Sequence, residues 1–309
     1  MTIKKLKDIF LNIKNCDAWS LQILQIKSQK EKINTYTGRE IELTPSSQLI
    51  DGISDIADRY ISGKDSLENK YDNVEVYQGN CDARTIYKID TDNVLISEEY
   101  GSFIEAISNP DVEVDPLSLD SKAYVLKGDV MVKGKLTPIK LISMKRPIIT
   151  LKKKYSFTNG TFKEISDKVF SLKSSVDIVI IENVLYMLTI SGENLFSIDR
   201  AYKINSEKHI DKIIKSKIVA NEELFENRAR SEYNPRRFMM FDEKYLEKLS
   251  DVKTRREISK KFNIKLINDK FDTSKAEEID KLIKLLCRKG AVSPFDSKAL
   301  EVSNSKNWK

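Results

Sequence analysis

Residues 176–190 read VDIVIIENVLYMLTI and carry the strongest evidence for the fold class. It consists of two apolar runs, 176–181 and 184–190, on either side of Glu182 and Asn183. Short runs of β-branched residues favour strands, and Asn tolerates the left-handed backbone that a tight hairpin needs. Continuous apolar strands are typical of the interior of a sheet. The sequence therefore predicts a β-hairpin at the centre of a sheet.

Further helices and strands are predicted on the N-terminal side of this hairpin. Apolar residues recur at helical spacing in residues 3–14, which predicts a first helix. A second helix is predicted to begin with Thr44 as its N-cap and Pro45 at its first helical position. A third is predicted at about residues 94–107, before Pro110. Strands are predicted at residues 19–26, 74–77 and 85–89, and at several places within 121–158.

After about residue 196 the pattern becomes helical. Ile210 and Ile213 belong to one apolar helix face, while Ser274 and Glu277 have the spacing of a capping box ahead of another helix. Gly290 predicts the end of that helix. We therefore predict an α+β protein with a mixed sheet, a central hairpin, flanking helices and a basic, mainly helical C-terminal third. We assign residues 1–199 to an α+β region and residues 200–309 to the helical region, within one compact unit.

Basic residues are concentrated in the C-terminal third. The net charge of the chain is +6, and residues 200–309 hold 27 of its 53 Lys and Arg but only 18 of its 47 Asp and Glu. This asymmetry favours a polyanionic partner for the C-terminal part. The alternative is a lysine-rich chain whose charges are simply solvated. No segment approaches the roughly 20 apolar residues that span a bilayer, so we expect a cytoplasmic protein.

The residues that usually carry catalysis are sparse. The three cysteines are far apart, which indicates a reducing compartment, and the single histidine, His209, is expected at the surface. No phosphate-binding glycine loop and no nucleophile elbow is present. A metal-dependent nuclease needs clustered carboxylates, and the candidates are Asp177, Glu182, Glu193 and Asp199. No lysine stands two residues after Glu193. We interpret Asp177 as a strand-start residue and Glu182 as a turn residue, and we expect no catalytic residue, metal or cofactor.

Two basic segments are better candidates for a functional site. The first is NRARSEYNPRRF, residues 227–238, where Pro235 predicts a loop or a helix start. The second is a helix that we expect to follow Asp251 as N-cap, with basic residues at i, i+3 and i+7 and with Ile258 and Phe262 on the opposite side. Such residues can contact a phosphate backbone. We predict that DNA is bound by Arg228, Arg230, Arg236, Arg237, Lys253, Arg256 and Lys260.

An alternative interpretation gives most of these residues no role in DNA binding. The same charges can be solvated, or they can form ion pairs with Glu226, Glu232 and Glu257. Tyr233 and Phe238 have the chemistry to stack on bases, although aromatic residues in such a place are more often part of the core. The sequence leaves both interpretations open.

The chain resembles the KwaB-like proteins of the Kiwa anti-phage defence system. The resemblance is carried by the 176–190 hairpin, by the Asn194-Leu195-Phe196 that follows it, and by the closing stretch IDKLIKLLCRKGAVSPFDSKALEV. It implies a DNA-binding protein that works with a membrane partner, KwaA, to suppress phage DNA replication and late transcription. It supplies no catalytic residue for this chain. We expect a homo-oligomer, a dimer, which its partner recruits to the inner face of the membrane.

Three hypotheses therefore remain. The first is a non-enzymatic effector that binds duplex DNA through phosphate contacts. The second is a metal-dependent nuclease that is active only when triggered. The third is an adaptor whose basic face docks on an acidic surface of its membrane partner.

Overall fold

The computed structural model describes residues 1–16, 18–28, 32–43, 47–79, 82–111, 120–132, 134–149, 154–165, 169–231, 234–287, 290–292 and 299–301. Thr44, Pro45, Glu232 and Tyr233, for which the sequence suggested roles, lie outside these residues. The chain divides into two compact units, and each is described by itself. The first comprises Met1–Tyr77 and Cys81–Ile198, and the second comprises Gln78–Asn80 and Asp199–Lys309.

The first unit contains four α-helices and twelve strands among its described residues. In chain order its elements are α1 (Ile3–Ile13), β1 (Ser20–Lys27), β2 (Thr35–Ile41), α2 (Ser47–Ile61), α3 (Leu67–Lys70), β3 (Asn73–Val76), β4 (Thr85–Asp90), α4 (Ser97–Ser108), β5 (Ser121–Val132), β6 (Lys135–Ser143), β7 (Ile148–Ile149), β8 (Lys154–Thr158), β9 (Thr161–Ile165), β10 (Val169–Phe170), β11 (Ile178–Ile181), β12 (Val184–Met187) and a 3-10 helix (Ile190–Leu195). The second strand of the predicted hairpin is thus shorter than expected, because the chain turns into the 3-10 helix at Ile190.

The predicted hairpin, β11 and β12, lies at the centre of an eight-stranded sheet. The strand order is β2-β1-β5-β6-β11-β12-β4-β3. Strands β3 and β4 pair in parallel, while β11 pairs antiparallel with both β6 and β12. Ile180 is only 1% exposed. The α+β class, the mixed sheet and the central hairpin are confirmed.

The turn of the hairpin uses a different residue from the one expected. Glu182, and not Asn183, takes the left-handed backbone conformation, with φ of 53°. This conformation costs a non-glycine residue roughly 1–2 kcal/mol, and the strand pairs on both sides hold it in place. The Glu182 side chain is exposed and lies 3.4 Å from the Nζ of Lys135.

Helices α1 and α2 pack against the sheet, and two tyrosines hold the base of the hairpin. Tyr60 of α2 donates a hydrogen bond to the carbonyl of Val176 at 2.9 Å and accepts one from its amide at 2.8 Å. Tyr71 donates to the carbonyl of Leu188 at 2.8 Å. Burial raises the pKa of Tyr60 to about 12, so its hydroxyl keeps its proton as a donor. Two buried tyrosines therefore fix the backbone on either side of the hairpin.

The second unit is mainly helical. Its elements are α5 (Ile198–Lys215), α6 (Glu222–Ala229), α7 (Asn234–Arg237), a 3-10 helix (Phe238–Met240), α8 (Glu243–Lys248), α9 (Val252–Phe262), β13 (Leu266–Ile267), β14 (Lys270–Phe271), α10 (Ala276–Leu286), β15 (Gly290–Val292) and β16 (Ala299–Glu301). Ile210 and Ile213 are buried in its core, as the apolar face predicted, together with Phe225, Phe271 and Leu282.

The predicted capping box at the start of α10 is wrong. The helix begins after Lys275, and no side chain caps it. The amide of Ser274 donates instead to Oδ1 of Asp272 at 2.9 Å. Asp272 forms this local turn two residues earlier and thereby removes Ser274 from the capping position. Glu277 is exposed and pairs with Lys281 at 3.4 Å.

Candidate nucleic-acid interface

Arg228 of the first basic segment fastens two helices of the second unit. It projects from α6 and makes a bidentate pair with Asp280 of α10, with Nε–Oδ1 at 2.9 Å and Nη2–Oδ2 at 2.6 Å. The carboxylate hydrogen-bonds the guanidinium and raises the pKa of Arg228. The charge of this arginine is thus already matched within the protein.

Arg230, at the C-terminal end of α6, contacts two carboxylates. Its Nη2 lies 2.8 Å from Oε2 of Glu207 on α5, and its Nη1 lies 2.6 Å from Oε1 of Glu226. The pair with Glu226 is one that the alternative interpretation of the sequence proposed. One cation between two anions leaves this point of the surface with a net negative charge.

The two arginines of α7 are also engaged by neighbouring groups. Arg236 donates from Nε to the carbonyl of Gly79 at 2.6 Å, and its guanidinium lies 5.7 Å from the ring centre of Tyr202. Arg237 donates to Oδ1 of Asn234 at 2.9 Å. Phe238 is fully buried and belongs to the core, so it is not positioned to stack on a base.

Helix α9 forms the second basic segment as predicted. Asp251 is its N-cap, and the carboxylate accepts a hydrogen bond from the amide of Thr254 at 2.8 Å. Ile258 and Phe262 pack against the core. On the exposed side are Lys253, Arg256 and Lys260, at i, i+3 and i+7.

The three predicted residues of α9 differ in their surroundings. Arg256 makes a bidentate pair with Asp269, with Nε–Oδ1 at 2.7 Å and Nη2–Oδ2 at 2.8 Å. This hydrogen bonding raises the pKa of Arg256 and lowers that of Asp269. Lys253 and Lys260 are exposed, and neither forms a salt bridge within the part of the chain that the structure describes. Helix α9 carries five Lys and Arg against one Glu.

Arg255 is a structural residue of this segment that the sequence reasoning missed. It is 9% exposed, and its guanidinium donates to the carbonyls of Leu249 at 2.6 Å, Ser250 at 2.9 Å and Asp269 at 2.7 Å. The sequence did indicate this burial, because Arg255, Ile258 and Phe262 stand at i, i+3 and i+7 and so share one face of the helix. It therefore lies on the buried stripe of α9 and not on its basic face.

The acidic candidates for a nuclease site are dispersed. Asp177 precedes β11, is 3% exposed, and accepts hydrogen bonds from the amide of Met144 at 2.7 Å and from the hydroxyl of Thr189. Glu182 stands at the opposite end of the same strand, about 16 Å away at about 3.3 Å per residue. Glu193 accepts a hydrogen bond from Tyr77. Among the described residues, no three of His, Cys, Asp and Glu are grouped as a metal site would require.

His209 is less exposed than predicted. Its ring is half-buried and lies 4.5 Å from that of Phe241, centre to centre. Burial, followed by the nearby charge of Lys212, lowers the pKa of His209. The simple surface position expected from the sequence is therefore wrong.

The two units together define the class of protein: an α+β chain with a central mixed sheet and a basic helical unit. The family described as Kiwa protein KwaB-like matches residues 135–294, which are 160 of the 309 residues. The matched region begins at β6 and includes the hairpin β11–β12 and helices α5 to α10. The chain belongs to the KwaB-like family, and membership implies a role in Kiwa anti-phage defence.

Two other comparisons were negative. A search among curated proteins and a search among solved structures each gave no match. Within the described residues, no helix is both long enough and apolar enough to cross a membrane.

Proposed function

We propose that this KwaB-like protein binds DNA through the exposed face of α9. The observation that supports the proposal is the contrast between Lys253 and Lys260, which make no salt bridge within the described residues, and the arginines, which are engaged by carboxylates or carbonyls. An ammonium group that forms no salt bridge with a described residue is available to replace the condensed cations of DNA. This displacement of ions supplies most of the free energy of non-specific binding.

The other predicted residues have secondary roles in this proposal. Arg256 lies between the two lysines on the same face and can add a contact once a phosphate competes with Asp269. The main role of the arginine segment is in the packing of the helical unit. Its contribution to the electrostatic potential around the unit is secondary. The segment consists of Arg228, Arg230, Arg236 and Arg237. Phosphates carry no base identity, so binding through these residues should show little sequence preference.

Fluorescence anisotropy of a labelled duplex across a salt series tests the proposal. Each neutralised phosphate adds about −0.9 to the slope of log K against log salt. The triple variant Lys253→Ala, Arg256→Ala, Lys260→Ala should flatten the slope by roughly 2–3 units. The matched control removes three exposed lysines of α5, by Lys203→Ala, Lys208→Ala and Lys215→Ala, and should leave the slope nearly unchanged.

The control distinguishes binding at a particular surface from a general effect of the protein's net charge. Equal losses in the two triple variants would mean that no particular surface binds DNA. An unchanged slope in the α9 variant would exclude this face. If that variant instead lost a membrane partner in a pull-down, the adaptor hypothesis would replace DNA binding.

We also propose that the protein acts by occupying DNA and not by cutting it. The support is the backbone separation of Asp177 and Glu182 along the strand, since about 16 Å is far beyond the span of one Mg²⁺, whose ligands lie about 2.1 Å from the ion. Plasmid incubated with the protein and Mg²⁺ or Mn²⁺ should stay supercoiled. Nicked or linear products that disappear in a folded Glu182→Gln variant would contradict this.

The remaining elements of the proposal come from the family. We propose that the protein works with a KwaA-like membrane protein, which recruits it to the membrane, and that together they block phage DNA replication and late transcription. We propose a homodimer as the binding species. Co-purification with the membrane partner and the mass of the purified protein in solution test the two statements separately.

A further inference from the structure

The basic face belongs to the second of two helices, α8 and α9, that a tight connection joins. Helix α8 ends at Lys248, residues 249–251 follow, and α9 begins at Val252. Asp251, the last residue of the connection, is also the N-cap of α9. A turn of three or four residues between two helices is the connection found in helix-turn-helix motifs, whose second helix lies in the major groove of DNA.

A two-stranded hairpin follows the second helix directly. Helix α9 ends at Phe262, and its C-cap residue Asn263, with φ of 51°, turns the chain toward β13. Asn268 and Asp269 connect β13 to β14 with φ of 50° and 59°, the two positive values of a type I′ turn. Strand β14 is anchored in the core, because the amide of Phe271 donates to the carbonyl of Ile218 at 2.8 Å.

Arg255 joins these three pieces into one rigid element. Its guanidinium is hydrogen-bonded to the turn between the helices, through the carbonyls of Leu249 and Ser250, and to the tip of the hairpin, through the carbonyl of Asp269. Arg256 then binds the carboxylate of the same Asp269. Two consecutive arginines therefore fix the hairpin tip beside α9.

We infer that α8, α9 and the β13–β14 hairpin form a DNA-binding unit that inserts α9 into the major groove of B-form duplex DNA. The inference rests on the proposed function and adds to it the groove of the duplex that α9 enters. Helix α9 is about 16 Å long, and Lys253 and Lys260 stand about 10 Å apart along its axis. A major groove about 12 Å wide admits an α-helix, and the exposed face of α9 would then carry Lys253, Arg256 and Lys260 toward the DNA.

The experiment compares three duplexes of one sequence by anisotropy at one salt concentration. The first is unmodified DNA, the second carries glucosylated 5-hydroxymethylcytosines that fill the major groove, and the third is double-stranded RNA. The A-form major groove of RNA is too narrow to admit a helix. We expect unmodified DNA to bind at least about tenfold more tightly than either of the other two.

The outcomes distinguish the inference from the proposed function. If all three duplexes bind alike, phosphates alone are contacted and α9 does not enter the groove, although DNA binding stands. If none of them binds, DNA binding itself is wrong. A Glu257→Lys variant serves as the control for charge. It should strengthen binding to all three duplexes, and a gain confined to RNA would contradict insertion of α9 into the DNA groove.

Discussion

The two basic segments of the helical unit look alike in sequence and differ in structure. The arginine segment, Arg228, Arg230, Arg236 and Arg237, faces carboxylates, a carbonyl and an amide oxygen within the same unit. The lysines of α9 point to solvent without a salt bridge in the described residues. A count of charges along a chain is therefore a poor measure of the charge that a partner can reach.

The chemistry of the two side chains explains much of the difference. A guanidinium presents a planar fork that matches a carboxylate at two points, and it is less strongly hydrated than an ammonium group. Arginines thus pair readily inside a folded unit, as Arg228 does with Asp280. Lysine keeps its hydration shell and remains at the surface, where a polyanion can bind it.

The largest expected effect concerns two neighbouring arginines of α9. Arg255→Met should lower the free energy of unfolding by about 3 kcal/mol, because three carbonyls lose their shared donor while the apolar stem is kept. Arg256→Met should change it little, since this pair is exposed. Urea unfolding of both variants measures the difference. Equal stabilities would show that Arg255 does not hold the helix-turn-helix and the hairpin together.

A second prediction removes the carboxylate partner of one arginine in each segment. Asp269→Asn frees Arg256 and should raise affinity for duplex DNA about threefold to tenfold, because one more cation can neutralise a phosphate. Asn is well suited to the left-handed backbone at this position. Asp280→Asn frees Arg228 in the same way and should not change affinity. A gain in the Asp280 variant alone would move the DNA site to the arginine segment.

A third prediction measures what the arginine segment contributes to folding. Arg228→Ala should lower the free energy of unfolding by at most about 1 kcal/mol, since half-exposed ion pairs are worth little. DNA affinity should stay within about twofold, because the charge of Arg228 is already matched by Asp280. A double-mutant cycle with Asp280→Ala isolates the pair. A large loss of affinity without loss of stability is the result that would oppose this assignment.

The smallest expected effect is a pH dependence of the free energy of unfolding that DNA affinity does not share. The folded protein disfavours protonated His209, whose pKa burial lowers, while the unfolded chain takes up a proton near pH 6.5. Stability should therefore fall as pH decreases below about 6.5, and a His209→Gln variant should lose this dependence. Affinity of α9 for DNA should stay flat over the same range, because lysine remains charged. A matching fall in affinity would link His209 to the site.

Much of the fold could be predicted because its signals are local. The central hairpin follows from two apolar runs, and the start of α9 follows from Asp251 as N-cap. Local signals also failed where a nearby group competed, as Asp272 did for the amide of Ser274. The positive φ of Glu182 depends on the strands around it, and the sequence did not reveal it.

The site was harder to predict, because its decisive contacts are distant in sequence. Arg228 and Asp280 are separated by 52 positions, and Arg230 and Glu207 by 23. No periodicity brings such residues together before the helices pack. Arg255 is different, since its spacing from Ile258 and Phe262 already placed it on the buried stripe.

The most direct test compares the two segments by the salt dependence of DNA binding. Three proteins are measured side by side: the natural chain, Lys253→Ala with Lys260→Ala, and Arg228→Ala with Arg230→Ala. We expect the lysine variant to flatten the slope of log K against log salt by roughly 2 units and the arginine variant to leave it unchanged. A slope that the arginine variant flattens and the lysine variant preserves would contradict the assignment of DNA binding to α9.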